Sequence, residues 1–139
     1  MSLRGTIYLV DDDPFALKGL ARLLRAGGYE VNAYASPGEL LQIPITDENA
    51  CLVLDARMPG MSGFELQAAL AEKGVTLPVV FVTAEDDDAA RRNALAVNAA
   101  GFFRRPVDGP ALIDAIGWAL DKHKKHIAAD KVSDPGFSK

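Results

Sequence analysis

The 139 residues hold one cysteine, one tryptophan and two histidines. A single cysteine cannot close an intrachain disulfide, so stability must come from a packed core, and a reducing cytoplasm is the expected location. Basic residues are not in excess: 15 Lys and Arg stand against 19 Asp and Glu, for a net charge of −4. That balance gives no general attraction to nucleic acid or to an anionic membrane surface. No apolar run approaches the roughly 20 residues that cross a bilayer, and no stretch reads as a secretory signal. Internal repeats and low-complexity blocks are missing too. What remains is 49% apolar and 24% charged, the composition of one soluble domain with a core of its own.

The chain is organised around Cys51 to Gly63, CLVLDARMPGMSG. Four apolar residues in a row suit a strand buried on both faces of a parallel sheet. The run stops at Asp55, and Pro59-Gly60 turns the chain into a loop. Four further strands are expected: Thr6–Val10, Glu30–Tyr34, Leu77–Val82 and Gly101–Arg104. Helices fill the intervals. Asp13-Pro14 and Ser36-Pro37 each read as a cap followed by proline at the first helical position. Ser62 caps a helix running to about Lys73. An acidic cluster from Glu85 to Asp88 opens an alanine-rich helix that runs to about Val97. Its only larger apolar residues are Leu95 and Val97, which predicts weak anchoring. The last helix, Asp108 to about Lys122, carries Leu112, Ile113, Ile116 and Leu120 on one face. Residues 123–139 read as a polar tail or the start of a linker, partly disordered.

Strand and helix alternate five times, which predicts a single α/β domain: a doubly wound five-stranded parallel sheet with helices on both faces and strand order 2-1-3-4-5. In that order Asp11 and Asp12, after the first strand, converge with Asp55, after the third. Three carboxylates in one place repel and call for a cation. Magnesium fits, being small, hard and usually held by one or two carboxylates together with waters and phosphate. A backbone carbonyl near Arg57 completes the expected shell, and the site suits phosphoryl transfer onto a carboxylate. Each feature has an ordinary explanation when taken alone. Asp11-Asp12-Asp13-Pro14 is a helix cap, and Thr83 is a β-branched strand end. The set is more telling: acids after the first and third strands, a hydroxyl after the fourth, and Arg105-Pro106 after the fifth.

With those residues in view, the chain resembles the receiver domains of two-component response regulators. VDDD at Val10–Asp13, LDARMPGMSG at Leu54–Gly63, VTA at Val82–Ala84 and Arg105-Pro106 match in order and spacing. The likeness runs from about Thr6 to Leu120, within a domain taken as residues 4–122. The central stretch is especially similar to receivers of the nitrogen-fixation regulator group, which precede LuxR-type output domains. The resemblance implies a flavodoxin-like fold and a signalling switch that catalyses its own phosphorylation, not a classical enzyme. Asp55 would accept a phosphoryl group from a sensor histidine kinase or a phosphotransfer protein. Asp11, Asp12, Asp55 and the Arg57 carbonyl would hold Mg2+. Thr83 would be the switch hydroxyl and Phe102 the switch aromatic, and the 86–122 face would meet an output domain or a second copy.

One departure stands out. The family normally has lysine where this chain has Arg105, and a planar, forked guanidinium is not a conservative exchange at a tight site. The rival reading is therefore a degenerate receiver that binds partners without phosphorylation. An aspartate-nucleophile phosphatase is disfavoured because Arg57 stands where its second acid would be. Nucleic-acid binding by this chain alone and membrane association are not expected. Arg57 is expected to pair with Glu85 across the mouth of the site. Cys51 reads as core packing and Trp118 as partly exposed. His123 and His126, among lysines, read as a solvated helix end.

Overall fold

The computed structural model describes residues 3–84 and 87–132, and their side chains up to Lys125. Ten elements alternate along the chain. They are β1 (Thr6–Val10), α1 (Pro14–Ala26), β2 (Glu30–Tyr34), α2 (Pro37–Leu41), β3 (Ala50–Asp55), α3 (Gly63–Glu72), β4 (Val79–Thr83), α4 (Asp88–Ala96), β5 (Gly101–Arg104) and α5 (Gly109–Val132). The strands form one sheet in the order β2-β1-β3-β4-β5, and every pairing is parallel. This is the doubly wound architecture the alternation implied.

Side chains along each strand alternate between two cores. Ile7, Leu9, Cys51, Val53, Val80 and Val82 face α1 and α5, where Leu24, Leu112 and Ile116 meet them. Tyr8, Val10, Leu52, Leu54, Val79 and Phe81 face the other side, against Leu40, Leu66 and Leu70. Strand β3 lies between β1 and β4, and all six of its residues are buried. Its unbroken apolar run follows from being covered on both faces.

The helix starts follow the local chemistry. Asp13 caps α1 by accepting the Phe15 N–H at 3.0 Å, and Pro14 follows it. Ser62 and Glu65 form a reciprocal capping box at α3. Asp87 caps α4 by accepting the Ala90 N–H at 3.0 Å.

Three expectations need correction. The fourth strand begins at Val79, not Leu77. In α4 the buried residues are Ala90 and Ala94, whereas Leu95 is 73% exposed. The helix is anchored by small residues alone, so its attachment is weaker than the presence of a leucine suggested. The last helix does not stop near Lys122 but continues to Val132. Polar residues end the buried stripe of a helix without ending the helix.

Candidate functional site

The register of the sheet creates the site. Val10 pairs with Leu54 across β1 and β3, so the next residues, Asp11 and Asp55, leave the sheet side by side. The ladder continues one step beyond each strand. Asp11 N–H donates to the Tyr34 carbonyl at 3.2 Å, and Ala56 N–H donates to the Val82 carbonyl at 2.8 Å. Both acids therefore stand on rigid backbone. Gly63 closes the far side of the loop after β3. Its N–H donates to the Ala56 carbonyl at 3.2 Å, and a Cβ there would collide with the Asp55 carbonyl oxygen.

The three consecutive acids after β1 divide their work. Asp11 is 1% exposed and turns inward. Asp12 is exposed at the rim. Asp13 serves as the cap of α1, and its own N–H donates to Asp11 Oδ1 at 2.9 Å. One oxygen from each of Asp11, Asp12 and Asp55 lies within 4.8 Å of the others. Thr83, at the end of β4, is also buried. A cleft of about 380 Å³ is lined by Asp12, Asp13, Asp55, Arg57, Thr83, Ala84, Asp87 and Arg105.

Burial pushes the Asp55 carboxyl from 3.8 up to about 7. The Arg57 N–H, donating to Asp55 Oδ1 at 3.1 Å, opposes that rise. The Asp12 and Asp13 carboxyls reinforce it. A buried carboxyl with further acids beside it is a site that a cation would relieve. The donor set is all oxygen and all carboxylate, which fits a hard divalent ion such as magnesium and argues against soft metals.

Arg105 also enters the cleft. Its N–H donates to the Thr83 carbonyl at 2.9 Å, and its guanidinium forms a hydrogen bond and ion pair with Asp11 Oδ2. Burial lowers its pKa below the ordinary guanidinium value, though a guanidinium of this kind stays charged. The Asp11 partner was not foreseen; its signal was the arginine itself, a residue shaped for a carboxylate.

Arg57 reaches Asp87, with Nε 2.7 Å from Oδ2. Glu85 lies outside the described residues. The Ala90 N–H and then the Arg57 guanidinium hold the Asp87 carboxyl below its ordinary value. The cap position before an alanine-rich helix was the available signal for Asp87. Phe102 shares a sheet face with Phe81 and Thr83 and packs at the edge of that core, with the Arg91 guanidinium 5.1 Å from its ring centre.

Other residues lie away from the cleft. Cys51 is fully buried, with its thiol pushed up to about 12 by burial, consistent with packing alone. Trp118 is 57% exposed, with Lys122 Nζ 4.7 Å from its ring centre. His123 is half-buried beside them in a shallow groove, and the His126 side chain lies outside the described residues. No helix among the described residues is long and apolar enough to cross a membrane.

Known proteins share this arrangement. The family model described as "Response regulator receiver domain" matches residues 7–117. Nodulation protein W of Bradyrhizobium diazoefficiens is 33% identical over 130 residues, covering 94% of this chain and 57% of that protein. Response regulator protein TmoT of Ectopseudomonas mendocina is 37% identical over 116 residues, covering 84% and 53%. The chain thus spans a little over half the length of these curated relatives. The crystal structure of FixJ-N superposes with a TM-score of 0.77 at 31% identity, covering 84% of this chain and 94% of that one. A sheet whose first and third strands deliver acids to one cleft, matched over residues 7–117, makes this chain a member of the response regulator receiver family of two-component signalling.

Proposed function

We propose that this chain is a phosphorylatable receiver in which Asp55 is the acceptor. The observation that carries the reading is the convergence of Asp11, Asp12 and Asp55 oxygens within 4.8 Å in a cleft also lined by Thr83 and Arg105. An Asp55 oxygen attacks the phosphorus of a phosphohistidine on a sensor kinase or phosphotransfer protein. A P–O bond forms as the P–N bond breaks, and the imidazole leaves with the electron pair. Water later cleaves the acyl phosphate, returning the Asp55 carboxylate and inorganic phosphate.

Asp11, Asp12, Asp55 and the Arg57 carbonyl are the groups that would hold Mg2+. When bound, the ion supplies positive charge to the phosphoryl oxygens and relieves the repulsion among the acids. Asp55 presents its oxygen from rigid strand-end backbone, with the Arg57 N–H fixing the carboxylate's orientation. The Thr83 hydroxyl donates to a phosphoryl oxygen, and Phe102 on the same sheet face turns inward as Thr83 moves. The new dianion attracts donors and reorders the β4–α4 loop. The 86–122 face then presents a changed surface to an output domain or a second copy. The reading carries a cytoplasmic location with it, alongside the kinase's donor.

The test is intact-protein mass after incubation with Mg2+ and acetyl phosphate. A gain of one phosphoryl group is expected, absent in Asp55→Asn and absent under EDTA. No gain, with acetyl phosphate and with a phosphohistidine donor alike, would make the chain a phosphorylation-independent binding module.

A further inference from the structure

Asp11 is the most buried of the three acids, and both of its oxygens are already engaged within the chain. Oδ1 accepts the Asp13 N–H at 2.9 Å, and Oδ2 carries the Arg105 guanidinium. Among the described residues, no cation pairs with Asp12 or Asp55, so the charge compensation in the cleft is one-sided. The Arg105 side chain starts from a fixed point, since its N–H is tied to the Thr83 carbonyl at 2.9 Å. From there the fork reaches across the mouth of the cleft to Asp11. The Arg105 side chain is 22% exposed, so the pair is only partly screened by solvent.

A divalent ion and a guanidinium seek the same carboxylate oxygen and repel each other. We infer that Arg105 is the resident counter-ion of Asp11, and that a divalent metal loads this cleft only by displacing the guanidinium from Asp11 Oδ2. The inference rests on the metal reading above and deepens it. Metal entry and Arg105 release form one coupled event, so each opposes the other by the same factor. The released guanidinium, still anchored at Thr83, stands beside Asp55 with its donors free. The metal thereby arms the cation that a phosphoryl group on Asp55 needs. In this chain, occupancy by metal and readiness for the phosphoryl group are set together, because the one cationic side chain seen in the cleft's lining besides Arg57 is held by Asp11 until the ion arrives.

The experiment is an Mg2+ titration of the whole chain at fixed ionic strength, with two readouts. In 15N NMR, the Arg105 side-chain resonance, assigned by its loss in Arg105→Gln, is followed beside the backbone amides of Asp12 and Arg57. It is expected to shift with the same midpoint as those amides. In calorimetry, Arg105→Gln keeps a donor for Asp11 but loses the charge, and it should bind Mg2+ about tenfold more tightly than the parent, within the usual range of coupling. Arg22→Gln, an equal loss of charge on the exposed side of α1, should stay within about twofold. An Arg105 resonance that stays still while the Asp12 and Arg57 amides saturate would overturn the inference and leave the metal reading intact. Equal affinity in Arg105→Gln and the parent would do the same. Absence of Mg2+ binding to both proteins would overturn the metal reading itself. Should Arg105→Gln not fold, the Arg105 resonance is assigned by through-bond correlation to its own backbone amide in the unaltered chain, and its response decides.

Discussion

Asp55 shows how a residue legible from its position carries an energy that only the structure reveals. A strand-end acid after an unbroken apolar run was plain in the sequence. Its cost was not, because that depends first on how deeply the carboxyl is buried and then on Asp12 and Asp13 beside it. The carboxyl sits near 7 in the folded chain, against 3.8 ordinarily. Between those values the folded chain holds a proton that the unfolded chain has released. Stability therefore falls as pH rises from about 4 through about 7, and this group adds no further change above that. Asp55→Asn removes the penalty. The variant is expected to match the parent near pH 4 and to exceed it at pH 8 by up to about 4 kcal/mol, read from urea unfolding at both pH values. Mg2+ at pH 8 should return part of that stability to the parent. A parent equally stable relative to the variant at both pH values would remove the physical basis for the raised carboxyl. The split among Asp11, Asp12 and Asp13 follows the same logic: the cap at Asp13 was readable because Pro14 follows it, whereas the inward turn of Asp11 depended on Arg105, nearly a hundred residues away.

Helix α4 is held through small buried residues, Ala90 and Ala94, and one carboxylate secures its beginning. Asp87 Oδ1 accepts the Ala90 N–H while Oδ2 holds Arg57 from the loop after β3. A single side chain thus ties the start of α4 to the rim of the acidic cleft. The alanine-rich sequence foretold a weak attachment, and the exposure of Leu95 makes it weaker still. The sequence pointed to an acidic helix start, but choosing among four neighbouring acids needed the backbone turn that places Asp87 at the cap. Two effects should separate. Asp87→Ala loses the cap and should speed hydrogen exchange of the first α4 amides about fivefold, whereas Arg57→Ala, losing only a largely exposed pair, should leave them nearly unchanged. Both variants open the mouth of the cleft and should lose the phosphoryl group from Asp55 faster, as followed by the decay of phosphorylated protein. An unchanged decay in Arg57→Ala would show that the bridge does not shield the site from water.

At the scale of the molecule, the sheet order and the two-sided core were legible because β3 could only be buried on both faces, and a buried central parallel strand leaves few ways to place the others. The extent of α5 was not legible. Apolar periodicity reports where a helix is buried, and it fades after Leu120, yet nothing in the following residues breaks a helix: no glycine or proline appears between Leu120 and Val132. Among the described side chains, the buried stripe of α5 ends at Leu120 while the helix goes on. Ala119 and Leu120 are the last described core residues, and a Cβ at Gly5 would lie 3.1 Å from Leu120 Cδ1, so the end of the core meets the beginning of the chain there. This separates folding from what lies beyond. A chain ending at Lys125 is expected to melt within about 2 °C of the parent and to take up the phosphoryl group at the same rate, because every described core and cleft residue is retained. Leu120→Ala in the full chain should cost about 2–4 kcal/mol and lower the melting midpoint well beyond that margin. Calorimetry of the two proteins decides the point. If the shortened chain melts as low as Leu120→Ala, the later turns of α5 support the domain. If only Leu120→Ala falls, they stand clear of the core and are free to carry the change at Asp55 outward.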